Sequence, residues 1–290
     1  MDFEKIGAAF GSAPLFWEEV SGGTSARVWK PAGGEKLLLR TLTDAEQGEK
    51  EWLITRHLRE RNFVHTPDII PTASGEPFFE LDGVFYQLQR RIDGTRPDPA
   101  KPGTVEKCVK LVLSLEEALA DCPAIDGKDR FSLREAWQQG RASWDSLEIG
   151  VPLAEADAAV EQCAGMEAGA QQVIHGDLGP WNMIEDADGE LAIIDFGEAR
   201  MGEPYFDVAS LYGGILNHSR DVERPAAAAE FLSAFGGDRE RLYAQLRLWA
   251  WRGIAQWAMA EADGKADAGR MVRRFLTAQE RAESFRDLKL

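Results

Sequence analysis

Basic side chains are scarce in this sequence. Its 290 residues contain 33 Lys and Arg against 49 Asp and Glu, which gives a formal net charge of −16 at pH 7. Nucleic acids and anionic membranes attract proteins chiefly through Lys and Arg, so this balance argues against both as partners. The deficit is uneven, since residues 1–95 carry a balance of −4 and residues 96–290 carry −12.

Cysteines and long apolar runs are also few. The three cysteines, Cys108, Cys122 and Cys163, are an odd set without the spacing of metal ligands, which favours reduced thiols. No uninterrupted apolar stretch reaches the length that crosses a bilayer. The first ten residues, MDFEKIGAAF, lack the basic and apolar regions of a signal peptide. We therefore expect a cytoplasmic protein without a membrane partner.

Apolar and aromatic side chains are plentiful. The hydrophobic fraction is 44%, and the chain contains nine Trp and fourteen Phe. This composition is typical of a folded globular protein and not of a disordered one. A chain of this length can form one large domain or two lobes with an ample core, and it leaves the oligomeric state open.

The segment from Val173 to Gly197, VIHGDLGPWNMIEDADGELAIIDFG, sets polar residues between short apolar runs. This pattern predicts a strand, a polar loop and a second strand, then a turn at Asp188-Gly189 and a third strand. Polar residues held at the ends of short strands are rigidly placed. The segment is therefore the first candidate for a chemical site.

Three of its side chains form a set that suits phosphoryl transfer. Asp177, in the loop, can accept a proton from a substrate hydroxyl. Asn182 and Asp195, at the ends of neighbouring strands, offer oxygen ligands to a hard cation such as Mg²⁺. A base with a two-residue metal clamp is the set that protein-kinase-like enzymes use. Each short motif alone would also fit a loop held by Asx turns, but their order and spacing favour phosphoryl transfer.

The same residues carry a family resemblance. HGDLGPWN, followed by IDFGEARMGEPYFD, resembles the signature of the aminoglycoside phosphotransferase and choline kinase superfamily of small-molecule kinases. The resemblance implies that Asp177 is the catalytic base and that Asn182 and Asp195 are magnesium ligands. It implies a catalytic-loop role for His175, which matches the histidine that opens that loop. Asp207 matches a residue that braces the loop, either as a helix N-cap or as a partner of backbone amides.

The resemblance also implies the fold. We expect an α+β, bilobal, protein-kinase-like structure with a nucleotide-binding lobe over residues 1–92 and a catalytic, acceptor-binding lobe over residues 93–290. The first lobe would hold a small antiparallel sheet and one helix, and the second would be mainly helical. The phosphate donor would be ATP or GTP, with Mg²⁺ as the metal.

A glycine-bearing turn lies early in the chain, between two predicted strands. Its residues are Ser21, Gly22, Gly23, Thr24 and Ser25. Small residues let backbone N–H groups approach a phosphate, and hydroxyls add donors, so the turn is a candidate phosphate-covering loop. The alternative is an ordinary hairpin turn. It is not a Walker A loop, because no Lys followed by Ser or Thr comes after the glycines.

The next strand ends at Arg40, where kinases of this kind carry the lysine that holds the α- and β-phosphates. Arginine keeps the charge and can bind phosphate through two N–H groups, but its geometry differs from that of lysine. The following helix presents Glu51 on the face that holds Ile54 and Leu58. Glu51 is the candidate carboxylate that orients Arg40, with Glu49 as the second choice. The alternative for both Glu51 and Glu49 is a solvated glutamate on the helix surface with no role toward Arg40.

The strand VFYQLQ leads into the expected hinge. By resemblance, the backbone groups of Arg90 and Ile92 would pair with the edge of the adenine, and Gln89 would stand at the gatekeeper position behind the base. Downstream, helical periodicity predicts mainly scaffold. The predicted helices cover about 104–120, 131–147, 153–168, 225–235, 239–262 and 266–286.

The sequence does not determine which molecule accepts the phosphate. By resemblance the acidic second lobe binds it, and a negatively lined cleft would attract a cationic small molecule such as an aminoglycoside or another amine. A solvated acidic surface would show the same charge. The alternative function is a nucleotide-binding pseudokinase or regulatory protein, which Arg40 motivates. A protein kinase fits less well, because no activation segment ending in Ala-Pro-Glu follows Gly197.

Overall fold

The computed structural model describes residues 2–11, 16–20, 26–125, 129, 132–167, 171–265 and 267–288. The chain folds into two compact units, each made of two stretches of sequence. The first unit is Met1–Arg96 with Asn182–Ala199, and the second is Pro97–Trp181 with Arg200–Leu290. The units differ from the expected lobes in the placement of Asn182–Ala199. The assignment of nucleotide and acceptor binding to residues 1–92 and 93–290 stays a prediction.

The first unit is built on an antiparallel sheet, six-stranded over its described residues. Its strands are β1 (Trp17–Glu19), β2 (Val28–Pro31), β3 (Leu37–Leu42), β4 (Ile69–Ile70), β5 (Phe79–Leu81) and β6 (Val84–Arg90). The strand order is β1-β2-β3-β6-β4, and β5 also pairs with β6. Apolar side chains of β2, β3 and β6 form a buried cluster with Ile6. Successive side chains of a strand point to opposite faces, so Leu39, its cross-strand partner Leu88 and Tyr86 two residues earlier give one face of the sheet to this cluster.

Two helices complete the amino-terminal part of this unit, α1 (Phe3–Ala9) and α2 (Ala45–Glu60). Asp44 caps α2, because its side chain accepts a hydrogen bond from the Gln47 N–H at 2.8 Å. The face of α2 that carries Glu51, Ile54 and Leu58 is buried, as the helical spacing predicted. A carboxylate on a buried face needs a cation or hydrogen-bond donor beside it, so Glu51 should have such a partner.

The hairpin of β8 (Met183–Glu185) and β9 (Leu191–Ile193) also belongs to the first unit. The His65 carbonyl accepts from the Ile193 N–H at 2.7 Å. Thr95 and Glu185 exchange backbone hydrogen bonds of 3.0 and 2.7 Å. These long-range bonds explain why a segment from the middle of the chain packs with its beginning.

The second unit is mainly helical. Its helices are α3 (Thr104–Leu119), α4 (Leu133–Gly140), α5 (Leu153–Ala164), α6 (Tyr205–His218), α7 (Arg224–Phe235), α8 (Arg239–Ala262) and α9 (Ala268–Ser284), and its paired strands are β7 (Gln172–Ile174) and β10 (Arg200–Gly202). Helix α6 is buried from Phe206 to Leu216 and is the centre of the unit. A helix that is apolar on all sides must be surrounded by others.

The predicted helix over 131–147 is shorter in the structure. Helix α4 ends at Gly140, and two 3₁₀ turns, Arg141–Ser143 and Asp145–Leu147, follow. The Trp144 indole N–H donates to the Val151 carbonyl at 2.8 Å, and its ring packs edge-on against Trp137 at 5.2 Å. The same ring stacks on Trp251 of α8 at 6.3 Å, so packing against a distant helix accompanies the departure from the local helical pattern. Among the described helices, none has both the length and the apolar character that a membrane span requires.

Candidate active site

The loop HGD of the second unit follows β7, which pairs antiparallel with β10. The backbone N–H groups of His175 and Gly176 donate to the two carboxylate oxygens of Asp207, at 2.6 and 2.9 Å. Gly176 has a φ of +84°, a conformation that favours glycine. Asp207 lies in the first turn of α6, whose N-cap is Pro204. The predicted bracing through backbone amides is confirmed, and the alternative of an N-cap is wrong.

Asp207 is surrounded by charge in the interior of the unit. Burial raises its pKa, although the electrostatic interaction with the His175 ring and the two N–H donors oppose that rise. Glu116 of α3 has its pKa raised to about 9, first by burial and then by the negative charges of Asp207 and Glu203. Because Asp207 accepts two N–H groups, it stays the charged member, and Glu116 carries the proton at neutral pH. A neutral carboxylic acid, that of Glu116, therefore lies behind the HGD loop.

His175 is fully buried, and its Nδ1 accepts from the Asp177 N–H at 3.4 Å. A fully buried ring in this place holds the backbone of the loop. The predicted catalytic role of His175 stays a prediction, and the geometry favours a positioning one. Asp177 itself is partly exposed, and its Oδ1 accepts from the indole Nε1–H of Trp181 at 3.2 Å. The loop thus offers one partly exposed carboxylate on a buried scaffold.

In the first unit, the β8–β9 hairpin aligns the two predicted metal ligands. Met183 pairs with Ile193, and the Ile194 N–H donates to the Asn182 carbonyl at 3.0 Å. Asn182 precedes β8 and Asp195 follows β9, so the register brings them to the same end of the hairpin. Asp195 has a φ of +65°, uncommon for a residue other than glycine. Such strain is typical of functional positions.

Arg40 lies at the centre of an ionic cluster in the same unit. Its guanidinium forms an ion pair with Glu51 of α2, donates to Asp195 Oδ1 at 3.1 Å, and donates through Nε to Gln87 Oε1 at 3.2 Å. Burial alone would lower the pKa of Arg40, but the charges of Glu51 and then Asp195 outweigh it and raise the pKa. Glu49 is exposed, so Glu51 is the carboxylate that contacts Arg40.

Three further side chains around this cluster were not predicted from the sequence. Gln47 Nε2 donates to Glu51 Oε1 at 2.8 Å. Gln87 is fully buried opposite Arg40 in the β3–β6 register. A polar residue between the apolar Tyr86 and Leu88 of a strand was a signal that could have found it. Lys50 of α2 donates to the Gly197 carbonyl at 2.9 Å and holds the turn after Asp195. The aspartate is thus fixed from both the sheet and the helix.

The predicted adenine-binding segment follows β6. The Gln89 side chain donates to Gln87 Oε1 at 2.6 Å. The Arg90 N–H donates to the Asp68 carbonyl at 2.8 Å, so that group serves the β4 edge of the sheet. Ile92, just beyond the strand, is half-buried. The candidate phosphate loop, Ser21 to Ser25, lies outside the described residues.

The three contacts of Arg40 make a prediction about stability. Replacing Arg40 with Lys removes Nε and leaves the buried Gln87 oxygen with one donor fewer, because lysine is a single point charge. We expect the free energy of unfolding to fall by about 1–2 kcal/mol, measured by urea titration. Arg27→Lys, at an exposed ion pair with Glu19 of β1, should leave the midpoint near that of wild type. An Arg40→Lys variant as stable as wild type would show that the Gln87 contact contributes nothing.

We compared the fold with solved structures. It is similar to an aminoglycoside phosphotransferase from Alicyclobacillus acidocaldarius subsp. acidocaldarius DSM 446, with a TM-score of 0.68 and 16% identity over 98% of this chain and 93% of that chain. It is similar to a thermostable mutant of aminoglycoside phosphotransferase APH(4)-Ia in a ternary complex with AMP-PNP and hygromycin B, with a TM-score of 0.67 and 18% identity over 97% and 98%. The amicoumacin kinase hAmiN, in complex with AMP-PNP, Ca²⁺ and Ami, matches with a TM-score of 0.71 and 12% identity over 97% and 92%.

These likenesses confirm the predicted α+β, protein-kinase-like fold. A comparison with curated proteins found no match. The sequence itself matches the Phosphotransferase enzyme family over residues 17–249. That range spans most of the chain, including the Arg40 strand, the HGD loop and Asp195. The chain therefore belongs to the phosphotransferase enzyme family.

Proposed function

We propose that this protein transfers the γ-phosphoryl group of a nucleoside triphosphate, ATP or GTP, to a hydroxyl of a small molecule in the presence of Mg²⁺. The observation that carries this proposal is the cluster of Arg40, Glu51 and Asp195. A buried cation, the helix carboxylate that orients it and the aspartate after β9 are three elements that kinase-type phosphoryl transfer requires.

In the proposed reaction Asp177 receives the proton of the acceptor hydroxyl. The acceptor oxygen forms a bond to the γ-phosphorus, the bond from that phosphorus to the β,γ-bridging oxygen breaks, and the nucleoside diphosphate leaves. The loop that carries Asp177 is braced by Asp207, which keeps the base in place. Positioning and charge neutralisation supply most of the acceleration in such chemistry.

The residues at the open end of the β8–β9 hairpin fit a magnesium ion. Asn182 and Asp195 offer the oxygen donors that Mg²⁺ prefers, and the ion usually takes its remaining ligands from phosphate and water. When bound, the ion would neutralise phosphate charge. Arg40, already oriented by Glu51, would bind the phosphates of the donor.

The nucleoside would lie along the end of β6. The Arg90 N–H is bonded to Asp68 in the structure, so we assign the adenine contact of Arg90 to its carbonyl oxygen. The Ile92 backbone would supply the second contact, and Gln89 would stand behind the base. The loop Ser21–Ser25 would cover the phosphates. These assignments rest on the family membership together with the position of β6.

The acceptor that we propose is cationic, such as an aminoglycoside. The charge balance of −12 over residues 96–290 supports it, because acidic surfaces concentrate cationic ligands. Two similar structures contain aminoglycosides, one with hygromycin B and another with streptomycin. An aminoglycoside acceptor would make the protein an antibiotic-resistance enzyme.

The test is transfer to a panel of hydroxylated acceptors with Mg-ATP or Mg-GTP. The panel contains aminoglycosides, amino alcohols, hydroxy amino acids and neutral macrolides, with product masses as the readout. We expect phosphorylated product from a cationic acceptor, and loss of the product when EDTA removes the metal. Arg40 and its contact with Asp195 also suit a nucleotide-binding pseudokinase. Nucleotide binding without transfer or hydrolysis would support that alternative and contradict the proposal.

A further inference from the structure

Trp181 lies four residues after Asp177 in the loop HGDLGPWN. Its indole Nε1–H donates to Asp177 Oδ1 at 3.2 Å. We propose that Trp181 is a positioning residue that fixes the orientation of the Asp177 carboxylate for proton transfer. The inference rests on the proposed function, in which Asp177 receives the acceptor proton.

The indole ring lies in a slot between two glycines. A Cβ on Gly179 would lie 2.4 Å from Trp181 Cη2, and a Cβ on Gly214 of α6 would lie 2.9 Å from Trp181 Cζ3. Real Cβ atoms do not approach other atoms so closely, so any larger residue would displace the ring. Neither glycine has a left-handed backbone, so the close approach of the ring, joined at Gly214 by Pro180 Cδ at 2.8 Å, is the reason for glycine. The slot sets the plane of the indole.

The ring also contacts a second residue of α6, four positions after Gly214. The His218 ring at the end of α6 lies 5.8 Å from the Trp181 ring, tilted by 39°. His218 Nδ1 is 2.7 Å from the Gly214 carbonyl, and its Nε2 is 3.3 Å from Arg274 Nη2 of α9. Ring position, and with it the direction of the indole N–H, is determined by α6 and its neighbours.

A fixed donor matters because an aspartate carboxylate is free to rotate. The torsion between the Cβ and the carboxyl group of Asp has a broad distribution instead of three narrow wells. A hydrogen bond to one charged oxygen restricts that rotation and is stronger than a bond between neutral groups. General bases act only within a narrow range of distance and direction. Loss of the indole donor should therefore affect turnover and leave substrate binding in place.

The experiment compares Trp181→Phe with Trp249→Phe. Trp249 of α8 packs on the adjacent glycine of α6, where a Cβ on Gly213 would lie 2.3 Å from its Cζ3. Both variants exchange an indole for a phenyl ring against the same helix, and the buried Trp249 should lose at least as much packing as the half-buried Trp181. Only Trp181→Phe removes a donor to Asp177. Trp249→Phe is therefore the matched control.

We expect Trp181→Phe to lower kcat roughly tenfold and to leave the KM of the nucleotide and of the acceptor within about twofold. Trp249→Phe should keep the wild-type kcat at a temperature where melting curves show both variants folded. Wild-type kcat in Trp181→Phe would overturn the inference. An equal loss of kcat in both variants would overturn it as well, because packing alone would then explain the effect.

A second readout does not depend on turnover. In protein with ¹⁵N-labelled tryptophan, the Trp181 indole resonance is identified by its loss in Trp181→Phe. Asp177→Asn should shift that resonance and leave the Trp249 indole resonance in place. An unshifted Trp181 resonance would show that the hydrogen bond is absent and would overturn the inference. If Asp177→Asn keeps wild-type turnover while the resonance shifts, the proposed role of the base fails and the contact with Trp181 stands.

Discussion

Asp177→Asn should lower kcat by about two or more orders of magnitude, because an amide cannot accept the acceptor proton. The KM of the nucleotide should change little, since the proposed phosphate and metal contacts come from Arg40, Asn182 and Asp195. Steady-state kinetics with the acceptor found in the panel measure both quantities. The substitution keeps the shape of the side chain and one oxygen for the Trp181 indole N–H, so the fold should be unaffected.

Asp188→Asn is the control for this variant. Asp188 is exposed in the turn of the β8–β9 hairpin. Replacing it with Asn makes the same chemical change as Asp177→Asn, 11 residues further along the chain. Its kcat should equal that of wild type. Turnover at the wild-type level in Asp177→Asn would mean that another group receives the proton, and the mechanism would have to be reassigned.

Glu116→Gln should stabilise the protein at alkaline pH. The pKa of Glu116 is raised from 4.5 to about 9, first by burial and then by the charges of Asp207 and Glu203. A folded pKa above the unfolded one means that the stability contributed by Glu116 is complete below pH 4.5 and is lost as the pH rises towards 9. Glutamine has no proton to lose. At pH 8 the variant should be more stable by on the order of 5 kcal/mol, measured by urea unfolding.

The pH series is the decisive part of this measurement. The difference in unfolding free energy between Glu116→Gln and wild type should grow between pH 4.5 and pH 9 and then stop growing. Glutamine can still accept the hydrogen bond that the Val208 N–H gives to Glu116. Glu117→Gln, exposed on the same helix, should show no such growth. A difference independent of pH would mean that Glu116 is ionised in the folded protein.

Much of the candidate site could be read from the sequence because its signals are local. Asp177, Asn182 and Asp195 occur in one segment, with apolar pairs that define the strands between them. The helical spacing of Glu51, Ile54 and Leu58 placed Glu51 on the buried face of α2. A residue's position on a strand or helix follows from periods of 2 and 3.6, which a short stretch of sequence displays. The residues proposed for phosphoryl transfer could therefore be identified from the sequence.

Side-chain partners were not readable in the same way. Arg40 and Asp195 are 155 residues apart, and Arg40 and Gln87 are 47 apart, so their contacts depend on strand register and hairpin packing. Glu116 shares its helix face with Val112 and Leu119, and this polar residue in an apolar face was a signal, but it did not identify Asp207 as its neighbour.

The sequence by itself determined which residues could perform phosphoryl transfer, because those residues are contiguous or follow a short period. Only the tertiary structure decided how they are held: Arg40 by Glu51 and Gln87, the HGD loop by Asp207, and Asp177 by Trp181. The Trp181 contact spans only four residues, yet it depends on Gly214 of a helix that follows later in the chain. Contacts of this kind form when distant segments pack together, and no local pattern of residues specifies them.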